Sequence, residues 1–162
     1  MCSSDLQGAR KNVRCKFLDA DTAALDFCQT LARTMGLEEK VELVRDDVRE
    51  FHKHARDFRP HVISAIGILE YLNVDQIGDL IGSMFECVRG TGGSIITSNM
   101  SPHPETRFLD RAVGWHMNYR TPEEMQHLLR TLKLKTSFDI VQEPLGIHYL
   151  VLSNSGGSKC FP

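Results

Sequence analysis

The sequence predicts an α/β fold of the doubly wound kind, with a mostly parallel sheet that ends in an antiparallel hairpin. Three observations carry that prediction. Short apolar runs alternate with amphipathic stretches from Val13 to Thr97, each run ends in an acidic, polar or glycine turn, and two strand-like runs follow one another near the end. Alternation of this kind buries both faces of a parallel sheet under helices. Two late strands joined by a short connection pair directly, as a hairpin.

The elements follow in order. Val13 to Leu18 reads as a strand, interrupted by Asp19 and Asp21, after which Ala24, Cys28, Leu31 and Met35 define the apolar stripe of a helix. Asp21 suits the N-cap and Gly36 the left-handed residue that ends the helix. Val41–Val44 is a second strand, closed by Arg45, Asp46 and Asp47, and His61–Ile66 is a third, entered through Pro60. Ile77, Leu80, Ile81, Met84, Phe85 and Val88 recur every three and four residues, so 75–89 is a core-facing helix stopped by Gly90–Gly93. Ser94–Thr97 is the fourth strand, and the proline-bearing stretch 98–105 is a loop at its carboxyl end. Phe108, Ala112, Trp115 and Tyr119 fall on one helical stripe. Thr121 and Glu124 form a capping box with Pro122 at the first helical position, opening a helix whose inner face is Met125, Leu128, Leu129 and Leu132. The late strands are 136–141 and His148–Leu152, separated by a turn at Pro144–Gly146.

The chain has 162 residues, the size of one domain, expected at 1–153 with a flexible, aperiodic tail at 154–162. Its net charge of −2, with Lys and Arg dispersed, speaks against a polynucleotide partner. No apolar run reaches membrane-spanning length, and no CxxC pair occurs among the five cysteines. These features, together with the absence of a signal-peptide pattern, lead us to expect a cytoplasmic protein that does not engage a membrane. His52 and His54 alone on a polar stretch make a poor metal site, so none is expected.

An acid beyond the first strand, another beyond the second, a glycine after the third and a final hairpin together resemble the class I methyltransferases that use S-adenosyl-L-methionine (SAM). The resemblance spans roughly 13–153 and implies a Rossmann-like methyltransferase sheet with SAM as cofactor. It places Asp19 and Ala20 at the ribose, because one carboxylate can accept from two vicinal hydroxyls. Asp47, with Asp46 as the competing assignment, would accept from the adenine amine while the Val48 N–H donates to the ring. Ala65 and Gly67 would lie along the methionine portion, although a strand-ending turn glycine accounts equally well for Gly67. His61 stands where most relatives carry an aspartate.

The run Asn99–Arg107, followed by Trp115, Tyr119 and Arg120, is similar to a subgroup related to 3-hydroxy fatty acid methyl ester biosynthesis proteins. That similarity implies a small-molecule acceptor, a fatty-acid-derived carboxylate, bounded by Asn99, Ser101, Trp115, Tyr119 and Arg120. His103 and Arg107 are then the candidate catalytic residues, and Arg107 or Arg120 the carboxylate clamp. Plainer readings stand beside these: strand-ending aspartates are common in turns, Trp115 on a helical stripe belongs to core, and a loop histidine beside prolines is structural.

One family feature is missing from the sequence. The first strand and its glycine-rich loop should precede Val13, and Met1–Asn12 contains neither an apolar run nor more than one glycine. Gly90–Gly93 cannot substitute, because a cofactor-cradling loop follows a strand and opens a helix. The sequence reading therefore expects a truncated domain, weakened SAM affinity and self-association. It leaves two alternatives open: a non-catalytic remnant acting as a binding or oligomerisation module, and another Rossmann-type nucleotide enzyme, which would lack an inserted antiparallel last strand.

Overall fold

A computed structural model describes residues 13–154. The expected tail from residue 155 onward and the stretch preceding Val13 lie outside the described residues. The chain divides into two compact units, one ending at His54 and the other beginning at Ala55.

In the first unit β1 (Cys15–Asp19) pairs in parallel with β2 (Val41–Arg45), from Cys15 opposite Val41 to Asp19 opposite Arg45. Helix α1 (Thr22–Thr34) makes the crossover. Its first turn is capped by Asp21, whose carboxylate accepts from the Ala23 N–H at 2.8 Å. Its last turn closes when Gly36, at φ +65°, lets the Leu37 N–H reach the Ala32 carbonyl at 2.8 Å. The buried face differs from the expected stripe. Leu25 and Ala32 are buried and Cys28 is half-buried, whereas Leu31 and Met35 are about half exposed. Two strands offer α1 a narrow floor, so only the i, i+3, i+7 row that meets them is covered.

Helix α2 (Phe51–Phe58) has no counterpart in the sequence reading. Phe51, Ala55 and Phe58 have helical spacing, but His52, Lys53 and His54 dilute the signal. It ends at Arg59, held at φ +51° with its N–H bonded to the Ala55 carbonyl at 3.0 Å.

The second unit holds a four-stranded sheet in the order β3 (Val62–Ala65), β4 (Ser94–Met100), β6 (His148–Asn154), β5 (Ser137–Gln142). β3 and β4 are parallel, linked by α3 (Val74–Arg89), which begins with an Asn73–Gln76 capping box and buries the six predicted apolar residues. Gly93 sits where this crossover re-enters the sheet. A Cβ there would lie 2.3 Å from the His61 carbonyl oxygen, so only glycine fits the close approach of the two backbone segments. β6 inserts antiparallel between β4 and β5, with Ile96 opposite Leu152 and Val141 opposite Leu150. The turn between β5 and β6 is organised by the Glu143 carboxylate, which accepts from the N–H groups of Leu145, Ile147 and His148. Helix α5 (Pro122–Thr131) carries the expected Thr121–Glu124 capping box and buries Met125, Leu128 and Leu129.

The single stripe through Phe108, Ala112, Trp115 and Tyr119 does not form. The short helix α4 (Thr106–Phe108) passes into a π turn at Leu109–Val113 and stops at Gly114, φ +71°, where the Trp115 N–H returns to the Leu109 carbonyl. Residues beyond Gly114 run as an irregular strap to Thr121. Phe108 and Trp115 are largely solvent-exposed instead of buried, which corrects the core reading of Trp115.

Candidate functional site

The first unit presents the two acids expected for ribose and adenine at the carboxyl ends of β1 and β2. Asp19 is exposed, and its Oδ1 accepts from the Asp21 N–H at 2.9 Å in a local turn. The adjacent Ala20 is exposed as well. Asp47 caps the turn Val48–Glu50, and the Arg49 guanidinium grips it twofold, Nε to Oδ1 at 2.8 Å and a terminal nitrogen to Oδ2 at 2.6 Å. Those bonds to Arg49 hold the Asp47 carboxyl far below the usual carboxylate range. Asp46, the competing assignment, accepts from His54 at 2.8 Å, and that hydrogen bond lowers its carboxyl too. The Asp47–Arg49 pair lies in solvent, where an ion pair contributes little net stability and an incoming hydrogen-bonding group can displace it. Val48 opens the turn, the position where a backbone N–H points away from the helix body.

In the second unit the loop after β3 is shaped by Gly67 at φ +76°, and the place a Cβ would occupy there is open. Its N–H donates to Ser98 Oγ at 2.9 Å, which ties the loop to β4. Ala65 is buried and its carbonyl accepts from Thr97 Oγ1 at 2.8 Å, so this residue serves the sheet, with only its exposed successors facing outward. In the first unit the Asp19 carboxylate and the Val48 N–H offer an acceptor and a donor of the kind a nucleoside needs, as Asp47 does once Arg49 is displaced. In the second unit the backbone at Gly67 is open.

The remaining site residues gather at the carboxyl ends of β3 and β4. The turn Leu69–Tyr71 is stitched to the end of β4 and to the strap by Arg120. One terminal nitrogen of its guanidinium donates to the Leu69 carbonyl, Asn99 Oδ1 and the Asn118 carbonyl, and the other to the Leu72 carbonyl at 2.6 Å. The Arg120 N–H bonds the Met100 carbonyl, and the Asn118 N–H the Glu70 carbonyl. Tyr149, 1% exposed, donates its hydroxyl to the Arg120 carbonyl, and burial raises that phenol above its ordinary range. Asn99 is fully buried, with its amide nitrogen bonded to the Met100 carbonyl. Arg120 and Asn99 therefore build the frame, and the guanidinium expected as a carboxylate clamp is committed to backbone carbonyls.

Inside that frame, four buried side-chain atoms lack a hydrogen-bond partner: Glu70 Oε2, Ser101 Oγ, His103 Nε2 and the Tyr119 hydroxyl. The His103 and Tyr119 rings meet edge to face at 5.6 Å between centroids. Glu70 is 3% exposed, and its burial pushes the carboxyl above the usual range against the pull of His148 and Arg120. Trp115 covers the turn from outside, its indole N–H donating to the Tyr71 hydroxyl at 2.8 Å. Arg107 is exposed on α4, and among the described residues it has no ion pair. The sequence reading missed Glu70, whose one signal was a lone acid within an apolar run. A separate cleft of about 330 Å³ lies between the C-terminal half of α5 and β5, lined by Leu129, Arg130, Lys133 and Phe138 among others, away from this cluster. Among the described residues, no group of three or more His, Cys, Asp or Glu side chains could hold a metal, and no helix is long and apolar enough to cross a membrane.

Parallel strand pairs joined by helical crossovers and an inserted antiparallel last strand define a Rossmann-like methyltransferase fold. No protein-family model matches the sequence, and no curated protein sequence matches it significantly. Solved structures do. A possible exported protein of Bordetella parapertussis superposes with a TM-score of 0.73 at 18% identity, over 88% of this chain and 53% of that one. An O-methyltransferase family 2 protein from Planctomyces limnophilus, in complex with apigenin, gives 0.65 at 17% identity over 93% and 45%. Magnesium protoporphyrin IX methyltransferase from Synechocystis, with bound S-adenosylhomocysteine (SAH), gives 0.62 at 7% over 90% and 65%. The chain spans about half the length of the first two and under two thirds of the third.

Proposed function

We propose that the chain is a SAM-dependent methyltransferase acting on a small molecule. The observation that carries this reading is the buried, incompletely bonded polar cluster at the carboxyl ends of β3 and β4, in a fold whose solved examples include SAH complexes. In this reading Asp19 accepts from the ribose hydroxyls, Asp47 and the Val48 N–H read the adenine, and the backbone at Gly67 lies along the methionine tail. Bound SAM would supply a methyl carbon already activated by its sulfonium, so the protein's work is alignment and exclusion of water. Arg120 holds the frame, Trp115 and Tyr71 close it from solvent, and the aromatic edge of His103 and Tyr119 walls the acceptor. The inserted β6 weighs against a nicotinamide enzyme, whose sheet continues in parallel. A fatty-acid-derived carboxylate acceptor would rely on Arg107, since Arg120 is occupied.

Calorimetric titration of the full chain with SAM and with SAH tests the reading. Saturable binding of both is expected, weakened about tenfold by Asp19→Ala through loss of a charged hydrogen-bond acceptor. No binding of either ligand would overturn it and favour a non-catalytic binding or oligomerisation module.

A further inference from the structure

We propose that the cleft between the C-terminal half of α5 and β5 binds a small amphipathic anion, its acidic head held by Arg130 and Lys133 and its apolar body against Leu129, Leu134 and Phe138. This goes beyond the methyl-transfer reading and does not depend on it, because the cleft lies at the other end of the sheet from the cluster around Glu70.

Strand register fixes that position. Ser137, in the cleft wall, stands opposite Asn154, and Asn154 stands opposite Ser94, the first residue of β4. The cleft therefore sits at the amino ends of the parallel strands, whereas ligands of doubly wound sheets bind beyond the carboxyl ends. Neither the cofactor nor the acceptor of the proposed reaction would occupy it. Its volume of about 330 Å³ falls at the small end of the range for small-molecule sites, about 300–1,000 Å³.

The lining divides into an apolar floor and a cationic rim. Leu129 is 3% exposed, and Leu134 and Phe138 are half-buried. Gln126, Arg130 and Lys133 follow at four- and three-residue spacing along α5 and just past its end, with the Lys133 N–H on the Arg130 carbonyl at 3.4 Å, so they share one side of the helix. Between Glu124 and Asp139 the chain carries Arg130, Lys133 and Lys135 and no acid, in a protein whose net charge is −2. Asp139 follows Phe138 on β5 and so points to the opposite face of the sheet. Among the described residues neither Arg130 nor Lys133 has an ion pair. A guanidinium and an ammonium on the rim of an apolar cleft match an acidic head on an apolar body. Lys133 also holds φ +51°, a left-handed conformation that glycine adopts without strain and lysine does not. Glycine would close the helix more easily, which separates what the lysine side chain does from what the turn requires.

The test titrates the full chain, isotope-labelled for NMR, with phenyl phosphate, phenylacetate, inorganic phosphate and benzyl alcohol. Both aromatic anions are expected to saturate and to shift the backbone amides of 126–138. Inorganic phosphate lacks the apolar body and benzyl alcohol lacks the charge, so each should bind about fivefold more weakly or worse. The tighter of the two anions identifies the head as phosphate or carboxylate. Arg130→Gln and Lys133→Gly should each weaken both anions about threefold, and together about tenfold. Lys133→Gly should melt no lower than wild type, because it relieves the left-handed lysine, so its lost affinity is not a folding defect. Inorganic phosphate or benzyl alcohol matching the aromatic anions, amide shifts centred on 69–72 and 99–103, no saturable response, or unchanged affinity in the double variant would overturn the proposal. Failure of SAM and SAH to bind would overturn the methyltransferase reading and leave this site standing.

Discussion

Replacing Arg120 with alanine should unfold the second unit far more readily than its half-exposed position suggests. The guanidinium donates to the carbonyls of Leu69, Leu72 and Asn118 and to Asn99 Oδ1. Leu69 and Asn99 are each 0% exposed, so water cannot replace the lost donor at those two acceptors. Stranding two buried acceptors at about 1–3 kcal/mol each, with relaxation recovering part, gives a loss of roughly 3 kcal/mol. For a unit of this size that corresponds to a fall in melting temperature of about 10–20 °C. Arg120→Lys should cost about 2 kcal/mol, because one ammonium carries the charge but cannot span carbonyls on both sides of the turn. Urea unfolding followed by Trp115 fluorescence isolates the effect, since the sole tryptophan lies in the second unit. A Arg120→Ala midpoint within about 0.5 kcal/mol of wild type, the range of an ordinary surface change, would refute the view that this residue holds the site together.

Two further outcomes follow from the same geometry. Gly93→Ala should destabilise the second unit by about 3 kcal/mol or prevent its folding, since the added methyl meets the His61 backbone at 2.3 Å and neither strand can give way; an unchanged urea midpoint would contradict this. Glu70→Gln should also alter the pH dependence of stability. The folded-state pKa of Glu70 is raised above the ordinary 4.5, so as pH climbs past that value the unfolded chain releases its proton first and the native state loses stability until the raised value is passed. The Glu70 backbone N–H, His148 and Arg120 moderate the shift without reversing it. Glu70→Gln minus wild-type stability should therefore rise from mildly acid to neutral pH, and a flat difference in urea midpoints across that range would contradict the assignment.

Much of the architecture was legible because local and tertiary signals agreed. The α3 residues Ile77 to Val88 carried a helical period followed by a glycine stop, and all six apolar positions are buried; the Asn73–Gln76 capping box that opens the helix went unread. Asp21, Gly36 and Thr121 occupy the helix boundaries that their turn chemistry indicated. Periodicity failed where the covering surface is small or the backbone is interrupted. The α1 stripe is shifted because only two strands lie beneath it, and the aromatic stripe of 108–119 is broken by one glycine whose left-handed geometry no periodic count registers. Helix α2 was obscured by its three consecutive polar residues, His52, Lys53 and His54.

The site was legible by residue type and less so by role. Asn99, Ser101, His103, Tyr119 and Arg120 do come together, but whether a polar residue frames a site or faces its occupant depends on which hydrogen bonds are already made. Sequence proximity within 99–120 gave no hint that Arg120 would spend its donors on Leu69 and Leu72, nearly fifty residues upstream. Once it does, the logic of the cluster changes sign. The Arg120 guanidinium is committed to the frame, and Glu70, an inconspicuous acid in an apolar run, keeps a buried carboxyl oxygen without a partner. Specificity in such a site follows from the polar atom left without a partner, because a ligand that fails to satisfy it leaves the desolvation cost of burial uncompensated. Trp115 lies at the surface, with its indole N–H donating to the Tyr71 hydroxyl, and takes no part in burying that Glu70 oxygen.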